Sequence, residues 1–227
     1  MLPLRLTGHR VTQVALDGAS LPAPTGLDRV VLAPETAPTW WCGPPPPAAS
    51  SWSRTPTTAV PPRWAAPPIT DRSPSRPSPW TGPARPSPAL PDRLPAEPLP
   101  GGPVAAHRRV IFGGGMGMGG MGFTIDGRTF DPARDDQTVR LGSIEEWDVV
   151  NTGPLAHPFH LHTWPFTVVA DSSGRSPTGT AQDVVLIPAR GWARLRIAFT
   201  RHAGRGVYHC HILDHEDAGM MATVAVR

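Results

Sequence analysis

Residues 157–162 read His-Pro-Phe-His-Leu-His, and residues 209–220 read His-Cys-His-Ile-Leu-Asp-His-Glu-Asp-Ala-Gly-Met. The two stretches hold six of the nine histidines in the chain and one of its two cysteines. The first falls in a strand candidate, His157 to His162, and the second begins in one, Val207 to His211. Alternate side chains of a strand share a face. His160 and His162 therefore point together, and so do His209 and His211, while Cys210 between the latter two points the opposite way. One strand thus serves two sites, one on each side.

Further strand candidates surround these motifs: Thr138 to Leu141, Ile144 to Val150, Phe166 to Ala170, Asp183 to Ile187, Ala193 to Phe199 and Met221 to Val226. Turn signals separate most of them, among them Asn151-Thr152-Gly153, Ser173-Gly174, Ala189-Arg190-Gly191 and Ala203-Gly204. Short strands at this spacing, without a long helical period, predict an antiparallel β-sandwich. Only Asp214 to Ala218 has room for a helical turn. Upstream, Phe123-Thr124-Ile125 followed by Asp126-Gly127 reads as a strand and a turn. The run from Gly113 to Gly122 reads as a flexible connector. Its Met116, Met118 and Met121 are alternatively soft donors for Cu(I).

The two sides of the central strand predict different chemistry. With Cys210 go His215, five residues on, and Met220, five beyond that, and His157 is the natural second imidazole. A thiolate, two imidazoles and a weak thioether form the ligand set of a blue-copper electron-transfer centre. On the other side four imidazoles, His160, His162, His209 and His211, converge without a thiolate, a set suited to copper that binds dioxygen. Zinc also accepts Cys and His, but structural zinc sites favour paired thiolates and this region has one thiol.

The rest of the chain differs in texture. Residues 1–33 read as part of a β domain, with Val11, Val14 and Leu16 in alternation, a turn at Asp17-Gly18, and Val30-Val31-Leu32 beyond. Residues 34–103 hold 22 of the 31 prolines and five of the eight tryptophans, which predicts a disordered linker without helix or interior strand. A frame-shifted segment is the competing reading. With GC-ending codons, a shift of one base turns residues 35–43 into Gly-Asp-Gly-Ala-Asp-Val-Val-Val-Arg and residues 49–54 into another strand-like run; Cys42 would then be incidental. Residues 104–227 form the third region. All 21 basic residues are arginine and the net charge of +3 is dispersed, which gives nucleic-acid binding little support. Two cysteines cannot make a disulfide framework, and neither a membrane-span run nor a secretory start is present in the sequence.

The pairing of His-Pro-Phe-His-Leu-His with His-Cys-His-Ile-Leu-Asp-His-Glu-Asp-Ala-Gly-Met resembles the C-terminal cupredoxin domain of multicopper oxidases, particularly bacterial cuprous oxidases, spore-coat laccases and bilirubin oxidases. The resemblance covers roughly Arg109 to Arg227, and Leu16-Asp17-Gly18 with Leu32-Ala33-Pro34 looks like the middle domain of the same family. It implies an all-β Greek-key cupredoxin sandwich over 104–227, preceded by the Pro-rich segment and a middle-domain remnant. It implies that His157, Cys210, His215 and Met220 hold type 1 copper, that His160 binds type 2 copper, and that His162, His209 and His211 bind the type 3 pair. Electrons would pass along the Cys210 backbone to His209 and His211. Glu216 matches a carboxylate that delivers protons near the oxygen site; a surface glutamate on a helical turn is the alternative. Asp183 is a candidate to orient a ligand.

The implied activity is one-electron oxidation of a small reducing substrate (a phenol, a pigment or Cu(I)) coupled to reduction of O2 to water, in the periplasm or outside the cell. The family's first domain adds two His-x-His pairs to the oxygen site, whereas His9, His107 and His202 here are isolated. The expectation is therefore a complete type 1 site with half a trinuclear cluster, in a fragment lacking the first domain. A blue-copper electron carrier, or a copper-binding module without oxidase turnover, is the alternative.

Overall fold

The computed structural model describes residues 2–6, 11–27, 30–32, 36–42, 52–54, 89–97, 101–117, 120–174 and 179–227. Two small sheets come first. β1 (Leu2–Leu6) lies between β4 (Val30–Leu32) and β6 (Trp52–Arg54), and β2 (Val11–Leu16) lies between β3 (Ala19–Leu27) and β5 (Thr39–Cys42). The β2–β3 turn is Asp17-Gly18, with φ of 49° and 79°. Val11 and Val30 are buried against Leu27, Leu32 and Trp40.

β5 and β6 fall where the linker reading expects no strand. Both occupy proline-free windows, between Pro38 and Pro44 and between Pro47 and Pro56, where every residue retains an N–H for a ladder. Most of the remaining Pro-rich stretch, 43–51 and 55–88, lies outside the described residues, and the linker reading there with it; the frame-shift reading of 35–43 and 49–54 takes in β5 and β6.

Ten further strands and one helix follow: β7 (Ala106–Gly117), β8 (Gly120–Ile125), β9 (Gln137–Val139), β10 (Ser143–Asn151), β11 (His157–Leu161), β12 (Phe166–Asp171), β13 (Val184–Ile187), β14 (Trp192–Phe199), β15 (Gly204–Cys210), α1 (Leu213–Asp217) and β16 (Met221–Val226). They form two five-stranded sheets, β12-β14-β10-β7-β8 and β13-β11-β15-β16-β9. Pairing is antiparallel except for β10 with β7 and β16 with β9. Period-two patterning decides what lies between the sheets: along β14, Ala193, Leu195, Ile197 and Phe199 are fully buried, while Arg194 and Arg196 face outward to Asp148 and Glu146. The sheets meet ring to ring, Phe112 with Phe159 at 5.8 Å and Trp147 with Tyr208 at 5.5 Å. This is the all-β cupredoxin sandwich expected from the sequence.

The Gly/Met run is corrected. It is the far end of the β7–β8 hairpin, with Gly114 opposite Phe123 and Met116 opposite Met121; Met118 lies outside the described residues. Ladder bonds need only the backbone, so glycines that carry no apolar pattern still pair when the strands feeding them are in register.

Candidate metal centre

β11 and β15 run side by side, with Phe159 opposite Cys210 and His160 opposite His209. The pleat sends Phe159, Leu161, Tyr208 and Cys210 into the sandwich, all fully buried. β11 also faces His157 inward, and α1, directly beyond β15, returns His215 to the same end of the core. His157 Nδ1 lies 3.4 Å from Cys210 Sγ, Cys210 Sγ lies 3.5 Å from His215 Nδ1, and the two Nδ1 atoms are 3.1 Å apart. A point equidistant from the three donors lies about 1.9 Å from each, close to the roughly 2.0–2.3 Å of metal bonds to imidazole nitrogen and thiolate sulfur. Met220 is fully buried beside them. Its N–H donates to His215 O (2.9 Å), and its carbonyl accepts the Cys210 N–H (3.1 Å).

Burial sets the protonation of this group. It pushes the Cys210 thiol up to about 12, and it lowers His157 to about 4, helped by the neighbouring His215. Burial lowers His215 as well. Without a cation the site therefore holds a neutral thiol and two neutral imidazoles. Two neutral imidazole nitrogens 3.1 Å apart can share only one proton, and a soft cation satisfies all three donors at once. The residues present fit the group that the donor set calls for.

The opposite face of β15 carries the second cluster. Donor atoms of His160, His209 and His211 lie within 4.8 Å of one another. His162, just past β11, joins through Nε2, 2.9 Å from His209 Nε2, and its ring stacks on His160 at 4.2 Å. Burial lowers His160 to about 4, with His162 adding to it. His209 is lowered by burial too, against an opposing pull from Glu216. Glu216 Oε2 stands 3.3 Å from His209 Nδ1, so this carboxylate touches the imidazole cluster. Asp183 contributes through its peptide: its carbonyl accepts the Leu161 N–H at 3.1 Å, holding the chain between His160 and His162. These are the only two clusters among the described residues that could hold a metal ion, and His107 is instead exposed beside Glu146 at 3.7 Å.

Two aromatic neighbours of the thiol-site imidazoles escape sequence reading. Phe112 sets its edge against the His157 ring (6.0 Å, 83°), and Phe123 stacks on His215 (3.8 Å, 19°). Nothing in local periodicity marks them, because both contacts join strands far from the ligands in sequence.

Residues 107–227 match the family model described as multicopper oxidase. The multicopper oxidase mco of Staphylococcus haemolyticus is 36% identical over 109 residues, an alignment covering 45% of this chain and 24% of that protein. The bilirubin oxidase of Albifimbria verrucaria is 30% identical over 116 residues, covering 47% and 20%. The chain thus spans about a quarter of the length of such curated relatives. Among solved structures, a Campylobacter jejuni multicopper oxidase described as a metallo-oxidase superposes with a TM-score of 0.77 at 21% identity, covering 99% of this chain and 50% of that one. That likeness speaks for the fold.

Proposed function

Since this chain belongs to the multicopper oxidase family, we propose that it is the electron-accepting part of a copper oxidase, taking single electrons from a small reducing substrate and passing them towards dioxygen. Copper, the family's cofactor, supplies the one-electron redox chemistry when bound. His157, Cys210 and His215 hold it at the end of the sandwich, with Met220 as the weak fourth donor. His160 is assigned to the type 2 position and His162, His209 and His211 to the type 3 pair. The carrying observation is the position of Cys210: its thiol belongs to one cluster while its two chain neighbours, His209 and His211, belong to the other. Electrons leaving the thiol would thus have an unbroken covalent path through the backbone to the second face. Glu216, 3.3 Å from His209 Nδ1, would deliver protons to that face.

Four imidazoles are half of a trinuclear set, so completion of the oxygen site falls to a cupredoxin domain outside this sequence. A second reading is a blue-copper carrier that does not turn over alone, since His157, Cys210 and His215 of the thiol site all come from this chain. The substrate class is a phenol, a pigment or Cu(I), and the site of action the periplasm or cell exterior. No helix of the described residues is long and apolar enough to cross a membrane.

Copper reconstitution tests the assignment. The loaded chain is expected to turn blue through thiolate charge transfer; Cys210→Ser abolishes the colour and His160→Ala, on the other face, leaves it. Reductant should bleach the colour once, with slow return in air, and an added first domain should start continuous oxygen uptake. Equal loss of colour in the two variants, each still folded, would sink the division of labour. Steady oxygen uptake by the 227-residue chain alone would show that it completes its own cluster.

A further inference from the structure

The glycine-rich run has no part in the ligand set, yet its two arms carry the rings that pack on both buried imidazoles of the thiol site. Phe112 on β7 meets His157 edge-on, and Phe123 on β8 lies nearly parallel to His215 at 3.8 Å. His215 sits in a helix of five residues whose N-terminus has no side-chain cap. So short a helix fixes the ring plane weakly through its backbone, and a flat aromatic neighbour adds the missing restraint. The glycines make room for it. Gly114 stands opposite Phe123, and a Cβ there would come 3.3 Å from Phe123 Cδ1 and 3.1 Å from Gly122 O. Any side chain at 114 would displace the phenyl ring or the strand beneath it.

We propose that Phe123 is a positioning residue for His215, and that the glycine-rich β7–β8 hairpin is the arm that delivers it. The phenyl ring holds the imidazole in the plane that keeps Nδ1 facing Cys210 Sγ and His157 Nδ1. It also covers one face of that ligand against water. Ligands held in this way rearrange little when the bound ion changes charge, which favours fast one-electron exchange. The inference rests on the copper reading of His157, Cys210 and His215, but half of its test needs no metal.

The experiment uses the full chain. In the metal-free protein, proton NMR should find the His215 ring protons shifted upfield by the Phe123 ring current, and Phe123→Leu should return them to ordinary positions. In the Cu(II)-loaded protein, Phe123→Leu and Gly114→Ala should speed copper loss to a chelator by about two- to tenfold, the range that one aromatic pair contributes. The same variants should move the copper midpoint potential, while Phe123→Tyr, which preserves the stack, restores the wild-type potential and release rate. Unchanged His215 resonances in Phe123→Leu overturn the stacking. A blue wild type whose potential and release rate match those of Phe123→Leu overturns the positioning role. A wild type that takes copper without a blue band overturns the copper reading instead, and the NMR comparison then decides the stacking separately.

Discussion

Thr163 follows His162 with φ of +72°, in the left-handed region where a β-branched side chain crowds the following carbonyl. Glycine alone adopts this region without a steric penalty. Glycine removes the strain but adds freedom to the unfolded chain, so Thr163→Gly is expected to stabilise the metal-free protein by up to about 1 kcal/mol in urea titration. The next residue is tied to a glycine on another strand. A Cβ at Gly206 would lie 2.6 Å from Trp164 Cζ3, and Trp164 donates its Nε1–H to His202 O at 3.1 Å. Gly206→Ala is therefore expected to cost roughly 1–3 kcal/mol by overpacking. Pairing it with Trp164→Leu should recover part of the loss, and strictly additive melting data would show that the two positions do not share this space.

Two arginine–carboxylate pairs on one sheet separate the inside of an element from its outside. Arg108 on β7 reaches Glu145 on β10 through Nε (2.6 Å) and Nη2 (3.0 Å), and Glu145 also accepts the Trp147 Nε1–H at 2.9 Å. Glu145 is 3% exposed, so Arg108→Met strands a buried carboxylate and is expected to cost about 3 kcal/mol or more. Arg194 and Asp148 pair just as closely, at 2.7 Å, on the outer face of the same sheet, with 41% and 35% of their side chains exposed. Screening limits that pair to about 0.2–1 kcal/mol, so Arg194→Met should cost far less than Arg108→Met in the same denaturant assay. The Arg194 hydrogen bond holds the Asp148 carboxyl below its ordinary value of 3.8, against a smaller opposing effect of burial. A depressed carboxyl stabilises the fold fully above the unfolded value. Its contribution disappears as pH falls through the folded value below 3.8, so Asp148→Asn should lose its small cost in strong acid and keep it at pH 7.

At the scale of the whole molecule, one carboxylate joins the N-terminal sheets to the sheet that carries His157, His160 and Cys210. Asp17 accepts the Ala37 N–H at 2.8 Å on one oxygen, and the Asp183 and Val184 N–H groups at 3.3 and 3.4 Å on the other. Thr180 Oγ1 donates to Ser20 O at 2.9 Å nearby, and Val184 pairs directly with His160. Asp17→Ala removes a charged acceptor from the start of β13 and leaves the ladder itself intact. Amide exchange at Asp183 and Val184 is expected to quicken roughly ten- to a hundredfold, since hydrogen bonds to charged groups contribute roughly 1.5–3 kcal/mol. The colour of the copper-loaded protein should persist, because none of the three thiol-site donors lies on that loop. Unaltered exchange at both amides would mean that Asp17 holds nothing there.

Which candidate donors share a face was legible in the chain itself. Strand period two separates Cys210 from His209 and His211 whatever the surroundings, and β9 to β16 fall within a few residues of the runs that alternation marks out. Residue chemistry then limits what each face can bind. Periodicity is local, however, and three kinds of feature depend on which distant strands pair. His157 meets Cys210 only because β11 and β15 align Phe159 with Cys210 across more than fifty residues of chain. The Gly/Met run becomes a hairpin only because β7 is anchored beside β10, bringing Phe123 onto His215. Thr39–Cys42 becomes a strand only where β2 offers it a ladder, inside a stretch whose prolines argue for none. Sequence determined which groups could bind the metal and which way each one faces; tertiary pairing decided which of them meet, because register between remote strands is settled by the packing of two whole sheets.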